Sequence, residues 1–189
     1  MSEAQAPGET AAPTPSGGRS FGERVLGALR LDTSVYDEVA ADSAALGQAA
    51  VVAAAAGVAR ALSAPSGAFS KQGLVWAGVV FLFWLASSVT TWAIAWALGH
   101  DADLGRLVRV CGFAMAPFLL LVAWLLPIEL VRVAVLFLST ALLLATFVVG
   151  VRQGLRVSIG RAAFVLFVAF ATLFLISIGV AQLQGTVQP

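Results

Sequence analysis

Apolar and polar positions sort the chain into five long apolar runs, a short mixed segment ahead of them, and two polar ends. The run that organises the rest is Arg106 to Leu126, RLVRVCGFAMAPFLLLVAWLL. Two arginines lead into it, Gly112 and Pro117 interrupt it, and no charge recurs between Arg109 and Glu129. At about 1.5 Å per residue a helix of this length crosses the hydrocarbon core of a bilayer. Glycine and proline are tolerable inside such a helix because neighbouring helices cover the disturbed backbone. Leu74 to Leu98 is a second charge-free run, with Trp76 near one end and Trp92 and Trp96 near the other as interfacial anchors. Pro127 follows the central run directly, so the following run turns back as an antiparallel hairpin. Ser158 is placed to cap the last run. The predicted spans are 44–62, 74–98, 108–126, 128–149 and 159–183.

The first of these is mostly alanine, which on its own adds little to insertion. Its asset is a row of small residues four apart: Ala45, Ala49, Ala53 and Gly57. Such a row lets another helix approach closely, so the segment is read as spanning by packing on its neighbours, with a helix lying in the interface as the alternative. Arg60 can snorkel to the surface. Ala49, Ala53 and Gly57 are the predicted packing face; Gly112 and Pro117 are expected to shape the central helix, and Pro127 the turn after it.

Residues 19–43 form an amphipathic segment. Phe21, Val25, Leu26 and Leu29 fall at helical spacing, with Arg24 and Arg30 on other faces. Ser34 followed by Asp37 resembles a capping box for a second short helix carrying Val35 and Val39. Neither piece is long enough to span, so both are read as surface helices rather than a solvated linker. Residues 1–18, rich in small residues with three prolines, are expected to be a disordered tail without the features of a signal peptide, and 184–189 a short tail. The fold class is therefore all-α: a polytopic membrane bundle of five transmembrane helices with amphipathic N-terminal surface helices.

Composition sharpens this picture. Hydrophobic residues make up 60% of the 189 and charged residues 11%, and the mean hydropathy is +0.94. A soluble domain carries about a quarter charged residues. A net charge of +1 with scattered basic residues argues against nucleic acid as a partner. Cys111 and His100 are the only residues of their types, so no Cys/His metal site and no cofactor is expected. No Asp or Glu lies inside a secure span, and Lys71 and His100 fall at opposite membrane faces, so no catalytic base is supplied and the chain is read as no enzyme. Ser87, Ser88, Thr90 and Thr91 are read as hydroxyls bonded within packed helices.

Arginine placement sets orientation. Arg19, Arg24, Arg30, Arg106, Arg109, Arg152, Arg156 and Arg161 share one side of a five-span chain; Arg60, Lys71 and Arg132 share the other. The positive-inside rule then puts the amino terminus in the cytoplasm and the carboxyl terminus outside. Arg106, Arg109, Arg152 and Arg156 are expected to face the anionic cytoplasmic leaflet, each attracted by about 1 kcal/mol when near it.

The order of features resembles the Yip1 domain family: a surface-helical lead, five spans, and a basic-flanked third span with glycine, an aromatic and Ala-Pro-Phe. The matching stretches are SVYDEVAADSAALGQAAVV, RLVRVCGFAMAPFLLL and VRQGLRVSIGRAAF, and the likeness runs from about Phe21 to Leu183, closest to the prokaryotic branch. For eukaryotic members the family implies vesicle trafficking and contact with Rab GTPases. Their acidic-aromatic-glycine-proline motif is missing here, where the chain reads VYDEV, so that activity is not carried over. The resemblance implies a bacterial cell membrane and no established biochemical activity. What is expected is a non-catalytic membrane protein that scaffolds or shapes the bilayer or assists partners, including self-association. The alternative is a small transport component, which would hold a pocket of convergent polar groups.

Overall fold

The switch from polar tail to apolar pattern is marked by a reciprocal cap. The Ser20 hydroxyl accepts from the Glu23 amide at 3.4 Å, and the Glu23 carboxylate accepts from the Ser20 amide at 2.7 Å. This starts α1, Phe21–Leu29, in the computed structural model, which describes residues 18–64 and 69–186. Almost all of the predicted tail 1–18 lies outside the described residues. Leu31 takes a left-handed turn (φ 60°), and the Asp32 amide bonds back to the Gly27 carbonyl at 2.9 Å. Asp32 then caps α2, Thr33–Ala41, by accepting from the Ser34 amide at 3.0 Å and the Ser34 hydroxyl at 2.7 Å. The expected Ser34–Asp37 box does not form, because Asp32 reaches the same amide first and Asp37 takes the Gln153 side-chain amide instead, at 3.1 Å.

Five candidate spans follow. They are α3, Ala45–Leu62; α4, Lys71–Ala97, capped by Ser70; α5, Leu104–Ala114, capped by Asp103, continued by a 3-10 helix, Ala116–Leu125; α6, Glu129–Leu155; and α7, Ile159–Thr186. Among the described residues there is no strand. Helices α4 and α6 overrun the charge-free runs, and α7 takes in Gln184 to Thr186, because helical hydrogen bonding continues past the hydrocarbon depth that an apolar count detects.

The break at Pro117 is a change of helix type. Proline offers no N–H to an α-helical ladder, and the chain winds more tightly from Ala116 onward. An 11-residue α-helix followed by a 10-residue 3-10 helix rises about 36 Å in all, enough for a hydrocarbon core of about 30 Å.

Helix α3 sits against α4, α5 and the 3-10 helix, while α7 packs on α4 and α6. Phe83, Phe147 and Phe170 join α4, α6 and α7 with ring centroids 5.6 to 6.1 Å apart. Outside this core the helices present Leu130, Phe137 and Phe167, each more than 70% exposed. An apolar belt of that kind is at rest only in lipid.

Candidate functional site

Two assemblies stand out, one inside the bundle and one at its end. Inside, Ala45, Ala49 and Ala53 are fully buried along one face of α3. Gly112 of α5 lies on Ala49 so closely that a Cβ there would fall 2.6 Å from the Ala49 Cβ. On the next turns, a Cβ at Gly57 would fall 2.7 Å from the Ala77 carbonyl of α4. The predicted alanine row and the predicted glycine of the central helix therefore meet each other. Ala77 was missed; its signal is Gly73 four residues before it, another small-residue pair at helical spacing. Pro127 is exposed in the turn between the 3-10 helix and α6.

At the end, α1 and α2 fold onto the bundle. Arg24 is 6% exposed, pointing inward. Its guanidinium donates to Glu38 at 2.8 Å and to Gln48 of α3 at 2.9 Å, and pairs with Asp42 at 2.9 Å. Arg19 adds a second contact to Glu38 at 2.9 Å. Burial works against the charge on Arg24, but the bonds to Glu38 and Asp42 outweigh it and raise its pKa. Burial likewise opposes ionisation of Glu38, yet Arg24 and Arg19 hold that carboxyl below its usual range. The bond from Arg24 chiefly lowers Asp42. The sequence placed Arg24 and Arg30 on faces apart from the apolar residues; α1 turns Arg24 inward and leaves Phe21 and Leu26 outside, 39% and 52% exposed. The Phe21 ring also stands edge-on to Phe113 of α5, centroids 6.4 Å apart.

Tyr36 anchors α2. It is fully buried against Gly150 of α6, its hydroxyl donates to the Ala28 carbonyl at 3.3 Å, and desolvation pushes its pKa well up. Arg109 donates to the Val39 and Ala40 carbonyls at 3.2 and 2.6 Å, placing a cation at the carboxyl end of α2. Of the four arginines expected toward the leaflet, Arg109 therefore spends its guanidinium on the protein. Arg106 and Arg152 are half-buried, and Arg156 is exposed at a left-handed φ of 54°. At the far side Arg60 stacks over Trp76, 4.4 Å from the ring centroid, and Arg132 pairs with Glu129 at 3.6 Å.

The hydroxyls of Ser87 and Ser88 are buried and donate to the Trp84 carbonyl at 3.0 and 2.7 Å. These two hydroxyls are bonded within the packed helices as expected, whereas the Thr91 hydroxyl is buried without a partner, against the expectation. Among the described residues, no three His, Cys, Asp or Glu side chains stand close enough to share a metal ion.

With this geometry in place, the comparison with known proteins is specific. The Yip1 domain model matches residues 34–181, most of the chain. The chain belongs to the Yip1 domain family. No curated protein and no solved structure matches it. As a Yip1 domain protein with five helices long and apolar enough to cross a membrane, it is a multi-pass membrane protein. The Yip1 match opens at Ser34, in the first turn of α2, later than the Phe21 expected from sequence. Helix α1 and its inward arginine precede the Yip1 region, while Glu38, Asp42 and Gln48, which receive that arginine, lie within it.

Proposed function

We propose that this Yip1 domain protein is a non-catalytic membrane scaffold whose α1 helix is seated in one leaflet and shapes it. The observation that carries this reading is the orientation of α1: Arg24 is turned into the protein, and Phe21 and Leu26 are turned out. A helix in water is favoured the other way round. In the interfacial zone of a bilayer, exposed apolar side chains enter the acyl boundary, and each large one is stabilised there by about 1.5–3 kcal/mol. Because α1 adds cross-section at only one end of the bundle, it spreads that leaflet more than the opposite one. The cytoplasmic side is the natural assignment for this end, since Arg30, Arg106, Arg152 and Arg156 cluster on the same loops and surface helices. The carboxyl terminus then lies outside. The lipid bilayer is the primary partner in this scheme, and self-association or other membrane proteins would use the lipid-facing helices.

Reconstitution tests it. The full chain, in vesicles of phosphatidylethanolamine and phosphatidylglycerol, should reduce vesicle diameter as its density rises. The Phe21→Ser/Leu26→Ser variant should insert equally well and lose most of the effect. Equal diameters for the two proteins at equal density would refute the reading.

A further inference from the structure

Helix α1 is flanked by two open clefts that share Leu26. The first is a groove of about 320 Å³ between α1, α3 and the 3-10 helix, lined by Phe21, Val25, Leu26, Val51, Ala55 and Leu119. Every described side chain along it is apolar. Gly22 also lines it, and a Cβ built there would meet nothing within 4 Å. The second cleft, about 240 Å³ between α1 and the start of α2, is charged, with Arg19, Glu23, Arg30 and Asp32 along it. Arg19 is engaged by Glu38 and lies 3.8 Å from Asp32, which also caps α2. The other two charges are left over. Arg30 is exposed, and its guanidinium makes no hydrogen bond or ion pair among the described residues. Glu23 is exposed as well. The Ser20 amide and hydroxyl both bond its Oε2, at 2.7 and 2.8 Å, so Oε1 has no partner among the described residues. Those bonds hold the carboxyl below its ordinary range, so it is charged at neutral pH. Two helical turns apart, Glu23 and Arg30 fall on one face of α1. One free charge of each sign thus stands beside a groove with no polar wall.

We propose that the two clefts together bind a zwitterionic phospholipid with a primary ammonium headgroup, a phosphatidylethanolamine. An acyl chain lies in the groove, Arg30 takes the phosphate, and Glu23 Oε1 takes the ammonium. The proposal rests on α1 being seated in a leaflet, as read above, and names the lipid that it holds there. Charge complementarity selects this occupant. Phosphatidylglycerol brings a net negative charge and offers Glu23 no cation. The quaternary ammonium of phosphatidylcholine has no N–H to donate, and the aromatic faces that bind such groups are absent from the charged cleft.

Native mass spectrometry of the full chain in a mild non-ionic detergent tests it, with dioleoyl phosphatidylethanolamine, phosphatidylglycerol and phosphatidylcholine added in turn at equal concentration. One saturating adduct is expected for the ethanolamine lipid, about tenfold tighter than for the others, since each of those forfeits a charge-assisted hydrogen bond. This selectivity is read on the unchanged chain and needs no variant. Arg30→Gln and Glu23→Gln should each weaken the adduct by a similar factor. Glutamine at 23 can still close the cap on Ser20, so that variant loses the charge and keeps the helix start. Gly22→Leu, which fills the groove without a clash, should also weaken it, and Lys71→Gln, a charge loss at the start of α4, should not. Equal binding of the three lipids, undiminished binding in Arg30→Gln and Glu23→Gln, or an equal loss in Lys71→Gln would overturn the proposal. A lipid-free dimer would put a second copy in the groove and overturn it too, as would displacement by chain-free glycerophosphoethanolamine at the same concentration. The vesicle assay separates this site from the reading it rests on, because Arg30→Gln and Glu23→Gln keep Phe21 and Leu26 and should still reduce vesicle diameter. Smaller vesicles without a selective adduct reject the lipid site alone; a selective adduct with undiminished vesicles rejects the shaping role alone.

Discussion

Gly112→Ala isolates the contact on which the membrane core is built. The added Cβ would lie 2.6 Å from the Ala49 Cβ and 3.0 Å from both the Ala49 Cα and its carbonyl oxygen. Comfortable carbon–carbon separation is about 3.5–4.0 Å. Two of the three obstructing atoms are backbone, so no rotamer change relieves them and α3 and α5 must part by about 1 Å. Overpacking of this kind costs about 1–3 kcal/mol. Alanine recovers up to about 1 kcal/mol of helix propensity over glycine. The expected net loss is about 1–2 kcal/mol, or a fall of a few degrees in melting temperature for a chain of this size. Gly78→Ala is the matched control: it sits in α4, where an added Cβ would meet nothing within 4 Å, so only the propensity gain remains.

The assay is unfolding in mild detergent followed by tryptophan fluorescence, since Trp84 is buried beside the seam at 3% exposure. A second substitution sharpens it. Ala49→Gly removes the nearest obstructing atom but leaves the two backbone atoms, so it should restore part of the loss in a Gly112→Ala background and lower stability when made alone. That pattern is a coupling between the two sites. Equal melting of Gly112→Ala and Gly78→Ala, or strict additivity with Ala49→Gly, would refute the close-approach account.

Three further outcomes follow from the polar contacts. Arg24→Gln leaves Glu38 and Asp42 facing each other without their cation; because both are partly exposed, the loss should be about 2 kcal/mol, read as faster chymotrypsin cleavage within α1, and unchanged cleavage would count against the network. The Glu38 and Asp42 carboxyls are held below their ordinary values of 4.5 and 3.8, so their contribution is complete above those values and disappears as pH falls through the lowered ones. The hydrogen-exchange protection factors of the α1 amides should therefore fall as pH drops below the ordinary carboxylate range, and that fall should be much smaller in Arg24→Gln. Trp84→Phe removes the bond from the indole N–H to the Val108 carbonyl at 2.9 Å, and a loss of about 1 kcal/mol is expected in the same detergent melt.

What the sequence discloses here is whatever repeats at short range. A charge-free run locates a span, and Ala45, Ala49, Ala53 and Gly57 reveal a packing face because a helix brings every fourth residue into line. The 3-10 geometry of 116–125 was hidden, since APFLLLVAWL has the same composition as an α-helical span and only Pro117 hints at the change. The inward turn of Arg24 was hidden for another reason. Its partners lie 14 and 24 residues away, on two other helices, and no local pattern separates an arginine that meets them from one that meets water. Arg109 is the extreme case, with acceptors 69 and 70 residues distant that are main-chain carbonyls and leave no mark in side-chain identity.

These two kinds of contact divide by medium, and the division has consequences. Inside the hydrocarbon, lipid tails are as apolar as leucine, so helices gain by approaching until backbones touch, and small residues set how near they come. At the end of the bundle the gain lies in pairing charges that burial would otherwise penalise, and there Arg24, Glu38 and Asp42 gather. The close approaches of Gly112 to Ala49 and of Gly57 to Ala77 involve no charged side chain, while the charged ties of α1 to α2 and α3 converge on the Arg24 guanidinium. Acid and high salt should therefore loosen α1 while the five spans stay packed, and Gly112→Ala should do the reverse. A shift of both by either perturbation would mean that α1 and the membrane core form one cooperative unit, and a scaffold whose leaflet-seated helix moves independently of its spans would no longer describe the molecule.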